Sequence, residues 1–298
     1  QQGTENGATI GGSIDLKLQK SYFDKELSSF GVDLGYETNA GEKIVSAEYN
    51  YSGTKYFLNT DFIFRDAENY TAGGGEEVLY SQFQKYNFSV VSGYKISPEE
   101  SLVASLIYDQ ANDVGYPALT MDVSLARALI SSISYEYKND QNFINFWDTK
   151  IYYNTIEHIM DDTKRPDVPI HMDMPGWSDT FGFYSKGQAD VHNHQLLFNW
   201  NGYYNRSLAE MTMYPNDPDE NLMFMLTWPD VRTIYSGIYI EDQWKLKHGD
   251  QFKFSTRLGG QFEEIADAFG YQSLTIFYPD LEESQNRFLV SFNGSYEK

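Results

Sequence analysis

An all-β, antiparallel barrel that crosses an outer membrane with its strands is the fold this sequence predicts, and three observations predict it. Apolar and polar residues alternate with period two along most of the chain, the mark of strands with one apolar and one polar face. The links between those strands alternate in length, short then long. Aromatic residues make up 16%, with 24 Tyr and 20 Phe, yet mean hydropathy is only -0.52, so many rings are carried by an otherwise polar chain.

The alternation can be followed from element to element. Phe30, Val32, Leu34 and Tyr36 alternate with Gly31, Asp33, Gly35 and Glu37. Tyr86, Phe88, Val90, Tyr94 and Ile96 do so against Lys85, Asn87, Ser89 and Lys95. The pattern recurs at Leu102, Ala104, Leu106 and Tyr108, at Leu129, Ile133, Tyr135 and Tyr137, and at Trp147, Ile151 and Tyr153. Late in the chain Phe252, Phe254 and Leu258 repeat it, followed by Phe288, Val290, Phe292 and Tyr296. About 12 strands result, with apolar side chains facing lipid, polar ones facing a wet lumen, and aromatics at the two interfaces.

A soluble β-sandwich also alternates, but its links do not sort by length. Short links are expected at Ser52 to Lys55, Ser97 to Glu100, Lys138 to Asn142, Ala189 to His194 and Lys247 to Asp250. Long ones are expected over 66–82, 111–127, 158–178, 209–230 and 263–284. Short periplasmic turns alternating with long extracellular loops are the hairpin pattern of outer-membrane barrels. The first link, Asn39 to Lys43, falls at the long-loop end and is short.

The totals narrow the function. Formal net charge is -21, from 43 acidic and 22 basic residues, which argues against nucleic acid and suits a surface that gathers cations. No run approaches the ~18 apolar residues of a membrane helix. Cys is absent, which agrees with an oxidising compartment. Gln1 in the first position leads us to expect a processed chain or part of a longer one. An enzyme is not expected: His158 beside Asp161 and Asp162 is the only crude acid–His pair, and no Gly-x-Ser-x-Gly elbow accompanies it. No catalytic residue or required cofactor is assigned.

The stretch GATIGGSIDLKLQKSYF, residues 7–23, resembles the end of the plug domain of TonB-dependent outer-membrane receptors, where a Gly-Gly strand leads into the first barrel strand. NDVGYPALTMDV (112–123) and IYYNTIEHIMDD (151–162) resemble further stretches of those receptors. The resemblance implies residues 1–20 as the plug's end and lead-in strand, and 21–298 as barrel strands with long extracellular loops. Such receptors close at about 22 strands around a plug, so the chain reads as the first half of a larger plugged barrel in a Gram-negative outer membrane. The implied partners are the TonB complex acting through the plug, the rest of barrel and plug, and outer-membrane lipid.

The eight Met mark where a ligand would be held. All fall in or beside the long loops: Met121, then Met160, Met172 and Met174, then Met211, Met213, Met223 and Met225. Three pairs have Met-x-Met spacing, which in extended chain puts both thioethers on one side. Thioether sulfur favours Cu(I), and imidazole also accepts Cu(II), Zn and Ni. His158, Met160, His171, Met172 and Met174 are therefore the first candidate metal ligands, with the Met211–Met225 hairpin second; the bland alternative is Met as adaptable loop packing. HIMDD followed by MDMP also resembles the copper-receptor branch of the family. Copper is thus the candidate ligand. A ferric siderophore or other nutrient, and a structural or docking barrel, remain alternatives. The basic residues that would hold a siderophore are few in these loops: Lys164, Arg165 and Arg232. Carboxylates at 161–167 and in NDPDEN (216–221) have hard-oxygen character suited to loop calcium but lack EF-hand spacing; a solvated acidic loop is the plainer reading. His192 and His194 belong to a periplasmic turn. Trp177, Trp228, Tyr214 and Tyr271 are expected as interfacial anchors.

Overall fold

The computed structural model describes residues 22–246 and 249–298; the plug end and lead-in strand expected over 1–20 lie outside the described residues. Twelve strands form one sheet in chain order. They are β1 (Leu27–Glu37), β2 (Glu42–Ser52), β3 (Tyr56–Ala67), β4 (Phe83–Lys95), β5 (Glu100–Val114) and β6 (Asp122–Lys138). Then come β7 (Ile144–Asp161), β8 (Ile170–Val191), β9 (His194–Pro215), β10 (Met223–Lys245), β11 (Gln251–Ile265) and β12 (Ser284–Glu297). Each strand pairs antiparallel with the next, so the sheet is the meander that short and long hairpins in alternation produce. β1 and β12 are its two edges.

The links alternate as expected, but three long ones are shorter than the sequence suggests. They run over 68–82, 115–121, 162–169, 216–222 and 266–283. The expected loops at 111–127, 158–178 and 209–230 are mostly strand, because paired backbone continues far above the level a bilayer needs. β8 and β9 have 22 residues and β10 has 23, against the ~9–11 that cross a membrane. The surplus forms a hairpin wall standing out on the long-loop side. The last long link also holds a helix that alternation does not reveal, α1 (Ala268–Phe277), capped by Asp267, whose carboxylate accepts the Gly270 amide.

Register decides which side chains share a face. On β10, Ile234, Ile238 and Ile240 face outward and are about half exposed, while Tyr235, Tyr239 and Glu241 face inward and are buried. Carried strand to strand by the pairing, the outward face is an apolar band and the inward face a polar one. The inward residues interlock: Arg257 donates to Asn201 Oδ1 and to Tyr235 Oη, both at 2.9 Å. A small apolar cluster sits on the inward face at the short-turn end, where Phe57, Val91 and Val103 pack with Phe23. Gly93 makes this possible, since a Cβ there would lie 2.1 Å from the Phe57 ring.

Candidate metal-capture site

Pairing of the tall strands gathers methionines that are distant in sequence. Met172 is the cross-strand partner of Met213, and Met213 of Met223. Met160 partners Met174, and Met211 partners Met225. The register is the same at Asp173↔Thr212 and at Gly176↔Ala209, which places Met174 across from Met211. Seven methionines therefore lie in two adjacent rows: Met172–Met213–Met223 above and Met160–Met174–Met211–Met225 below. Strands are ~4.8 Å apart and residues two apart along a strand are ~7 Å apart, so the patch measures roughly 14 by 7 Å. Even steps along the strands connect these rows to Asn154, Thr180 and Asn205, so the methionines face inward, above a groove that those residues line together with Tyr152 and Tyr203.

His158 joins this face. It lies two residues from Met160, opposite Gly176, and the next residue across is Ala209. A Cβ on Gly176 would sit 3.4 Å from the Ala209 methyl, so small residues leave the wall open beside an exposed imidazole. His171 does not join it. Its parity sends it to the opposite face, partnered with Tyr214, and its Nδ1 lies 2.9 Å from Asp162 Oδ1. The same carboxylate accepts the Met172 amide at 2.8 Å, so Asp162 and His171 fasten the start of β8 instead of facing a ligand with the methionines. Met121 is buried and packs within the second long link.

The wall is clasped from outside the rows. Arg165 is buried and donates from Nε and Nη2 to Asp122, with a further bond from Nη2 to the Tyr116 carbonyl at 2.9 Å. Its guanidinium lies 3.6 Å over the Tyr80 ring. One side chain thus joins the links 68–82, 115–121 and 162–169, and its hydrogen bonds to Asp122 raise its ionisation from the ordinary value. Lys164 pairs with Asp113. Of the three loop cations named from the sequence, Lys164 and Arg165 are therefore engaged here, and Arg232 pairs with Asp230. Burial acts to raise the Asp161 carboxyl, but hydrogen bonds from Thr163 and Ser124 and the Lys164 charge outweigh it and hold that group below its usual range. Asp217 accepts the Asp219 amide. Among the described residues no three His, Asp or Glu side chains converge as a metal cluster; the metal chemistry on offer is that of thioethers and one imidazole.

His192 and His194 lie at the other end, as expected. His192 takes φ 56° in a two-residue turn, and His194 is stacked on Trp244 and bonded to Asp242. Two features escape sequence reasoning altogether: α1, whose Asp267 cap is the one available signal, and the use of Arg165 as a clasp.

No family model and no curated protein matches this sequence. Solved structures match its fold. The copper transporter OprC superposes with a TM-score of 0.76 at 17% identity, over 93% of this chain and 43% of that one. The fold is that of the TonB-dependent outer-membrane receptors. The FrpB iron transporter of Neisseria meningitidis has the same receptor fold, at TM-score 0.62, 13% identity and 92% and 44% coverage. The siderophore receptor PiuA of Acinetobacter baumannii follows at TM-score 0.52, 9% identity and 93% and 47% coverage. The chain therefore spans less than half the length of these receptors, which are transporters and a receptor and not enzymes.

Proposed function

We propose that this chain is barrel wall of a TonB-dependent receptor that captures a soft transition metal, Cu(I) first, on its inward methionine rows. The observation that carries the reading is the gathering of seven of eight methionines onto one face by the register of four strands. Packing alone does not call for that: a gap-filling Met is as useful on either face, and a half-buried thioether row offers a soft, uncharged ligand set. His158 beside the lower row supplies a borderline donor that would also accept Cu(II). The superposition with a protein named a copper transporter supports the reading without extending its ligand to this chain.

Passage inward then requires a plug and the TonB complex, with residues 1–20 as the plug's end and 21–298 as barrel; these assignments rest on the resemblance of residues 7–23. An iron or siderophore receptor is the second reading, favoured by the fold shared with FrpB and PiuA. The engagement of Lys164 and Arg165 weighs against it, because anionic ferric complexes need free cations.

Replacing Met172, Met174, Met211 and Met213 by Leu tests the proposal, since Leu preserves volume and removes sulfur. The whole receptor, purified in mild detergent and loaded with Cu(I) under reducing conditions, is expected to hold copper by elemental mass spectrometry. The four-Leu variant is expected to keep its folded-barrel mobility on semi-native gels and lose that copper. Equal copper in both would remove the methionines from the site.

A further inference from the structure

The outward face carries an organised polar feature that metal capture leaves unused. On β10 the outward face, apolar except for Ser236 and for Asp242, which is bonded to His194 near the short-turn end, runs from Ile234 to Trp244, ten residue steps. At ~3.4 Å per residue and a strand tilt of ~40° that is about 26 Å, the height of an outer-membrane apolar band. The outward-facing cations of the described strands, assigned by register, are Lys43, Arg127, Arg206 and Arg232. Each lies two residues beyond an apolar outward residue of its strand, toward the long-loop side: Val45, Leu129, Tyr204 and Ile234; Leu125 and Leu208 continue the outward apolar face beyond Arg127 and Arg206. On their own strands all four cations lie on the long-loop side of Val45, Leu129, Tyr204 and Ile234.

Two of the four form a unit. Arg206 and Arg232 are direct cross-strand partners, a juxtaposition of like charges that is destabilising by itself. Asp230 lies between them, placed by a bulge at Trp228/Val231 and by its own left-handed φ of 51°. Its Oδ1 accepts Arg206 Nε at 2.5 Å and its Oδ2 accepts Arg232 Nη2 at 2.7 Å. The carboxylate is sunk, with 13% side-chain exposure against 48% and 39% for the two arginines. Of the other acids facing the pair, Glu264 stands 3.6 Å from Arg232 Nη1 and Asp179 accepts the Tyr153 hydroxyl. Arg232 Nε is buried with no hydrogen-bond partner, and the Nη groups of Arg206 have no acceptor bonded to them among the described residues. Two guanidinium groups are thus oriented by one buried carboxylate with donors left over, directly above apolar side chains.

We propose that Arg206 and Arg232, held by Asp230, seat the phosphate of a phosphorylated outer-leaflet glycolipid whose acyl chains lie on the band below. Guanidinium forks match phosphate oxygens bidentately, and the position fits a headgroup tethered to chains at Tyr204 and Ile234 better than a freely diffusing anion. α1 adds an apolar shoulder above the seat: Gly270 packs on Pro229 and Leu226, and Phe269, Ile276 and Phe277 remain exposed. The proposal rests on the outer-membrane placement of the sheet and is independent of the metal reading.

The test uses the whole receptor in detergent and titrates bis-phosphorylated lipid A in mixed micelles, beside lipid A stripped of its phosphates, with native mass spectrometry as readout. The phosphorylated lipid is expected to be retained in preference to the stripped one. R206Q/R232Q is expected to weaken that retention by about tenfold or more, the worth of one or two charge-assisted bonds, with folded-barrel mobility unchanged. R206K/R232K is expected to recover only part of it, because an ammonium lacks the fork. K245Q, at the short-turn end of β10, is expected to leave it unaltered. If the double variant misfolds, R206Q alone, which leaves the Arg232–Asp230 pair intact, must show a partial loss. Equal retention of both lipids, undiminished retention in folded R206Q/R232Q, or displacement of the lipid by millimolar inorganic phosphate would each overturn the proposal.

Discussion

Arg165 shows how much one side chain can organise. Its pair with Asp122 is almost wholly desolvated, with side-chain exposures of 9% and 5%, and removing one partner of a buried pair typically costs 3–5 kcal/mol, roughly. Arg165→Ala is therefore expected to leave the membrane band intact and loosen the three links it joins, read as lost hydrogen-exchange protection over 68–82, 115–121 and 162–169. Gly182 illustrates the opposite problem, since a Cβ there would meet the Tyr152 ring at 2.2 Å. Gly182→Ala should lower the barrel's unfolding midpoint by an overpacking cost of about 1–3 kcal/mol. Asp161, held below the usual carboxylate range, stabilises its turn above its unfolded value near 3.8, and that contribution is lost as pH falls through the lower folded value. Protection of residues 161–163 should accordingly be level from pH 8 to 5 and fall only under stronger acid. Of the candidate site, Met-x-Met spacing is readable residue by residue; His171 misleads because parity across a strand start is invisible until Asp162 is seen to hold it.

At the scale of elements, the tall hairpins β8–β9 and β9–β10 carry the candidate site, and their register is its foundation. Thr212 and Phe224 are cross-strand partners on the outward face, and the chain has no native Cys. A T212C/F224C pair should oxidise readily, because paired residues stand about 4.5–5.5 Å apart at Cα, within disulfide reach. E210C/F224C, displaced by one row, should not. Thiol labelling with mass analysis distinguishes the two, and the reverse pattern would dissolve both methionine rows. Alternation alone ended these strands too early. Above the membrane both faces of a hairpin meet water or protein, so the apolar–polar contrast fades while backbone pairing continues.

For the whole molecule, the consequence is a sheet that is open among the described residues. There β1 and β12 are its edges and carry exposed rings, with Phe288 at 90% exposure, and such edges are templates for pairing with other chains and are not tolerated facing lipid. Residues 1–298 refolded alone in detergent should associate through these edges, giving a heterogeneous profile by light scattering instead of one compact monomer. The receptors that share the fold are more than twice as long as the span they match.

By itself the sequence determined the fold class, the strand count, the alternation of turns and loops and the soft-ligand character of the long-loop side. Each of these follows from local periodicity and residue chemistry. Only the tertiary structure decided which methionines become neighbours, that His158 stands with them and His171 does not, that Arg165 clasps three links, and that Arg206 and Arg232 are cross-strand partners on the outward face. The physical reason is cross-strand register: it is set by the summed pairing of whole strands, and a shift of one residue sends every side chain to the other face.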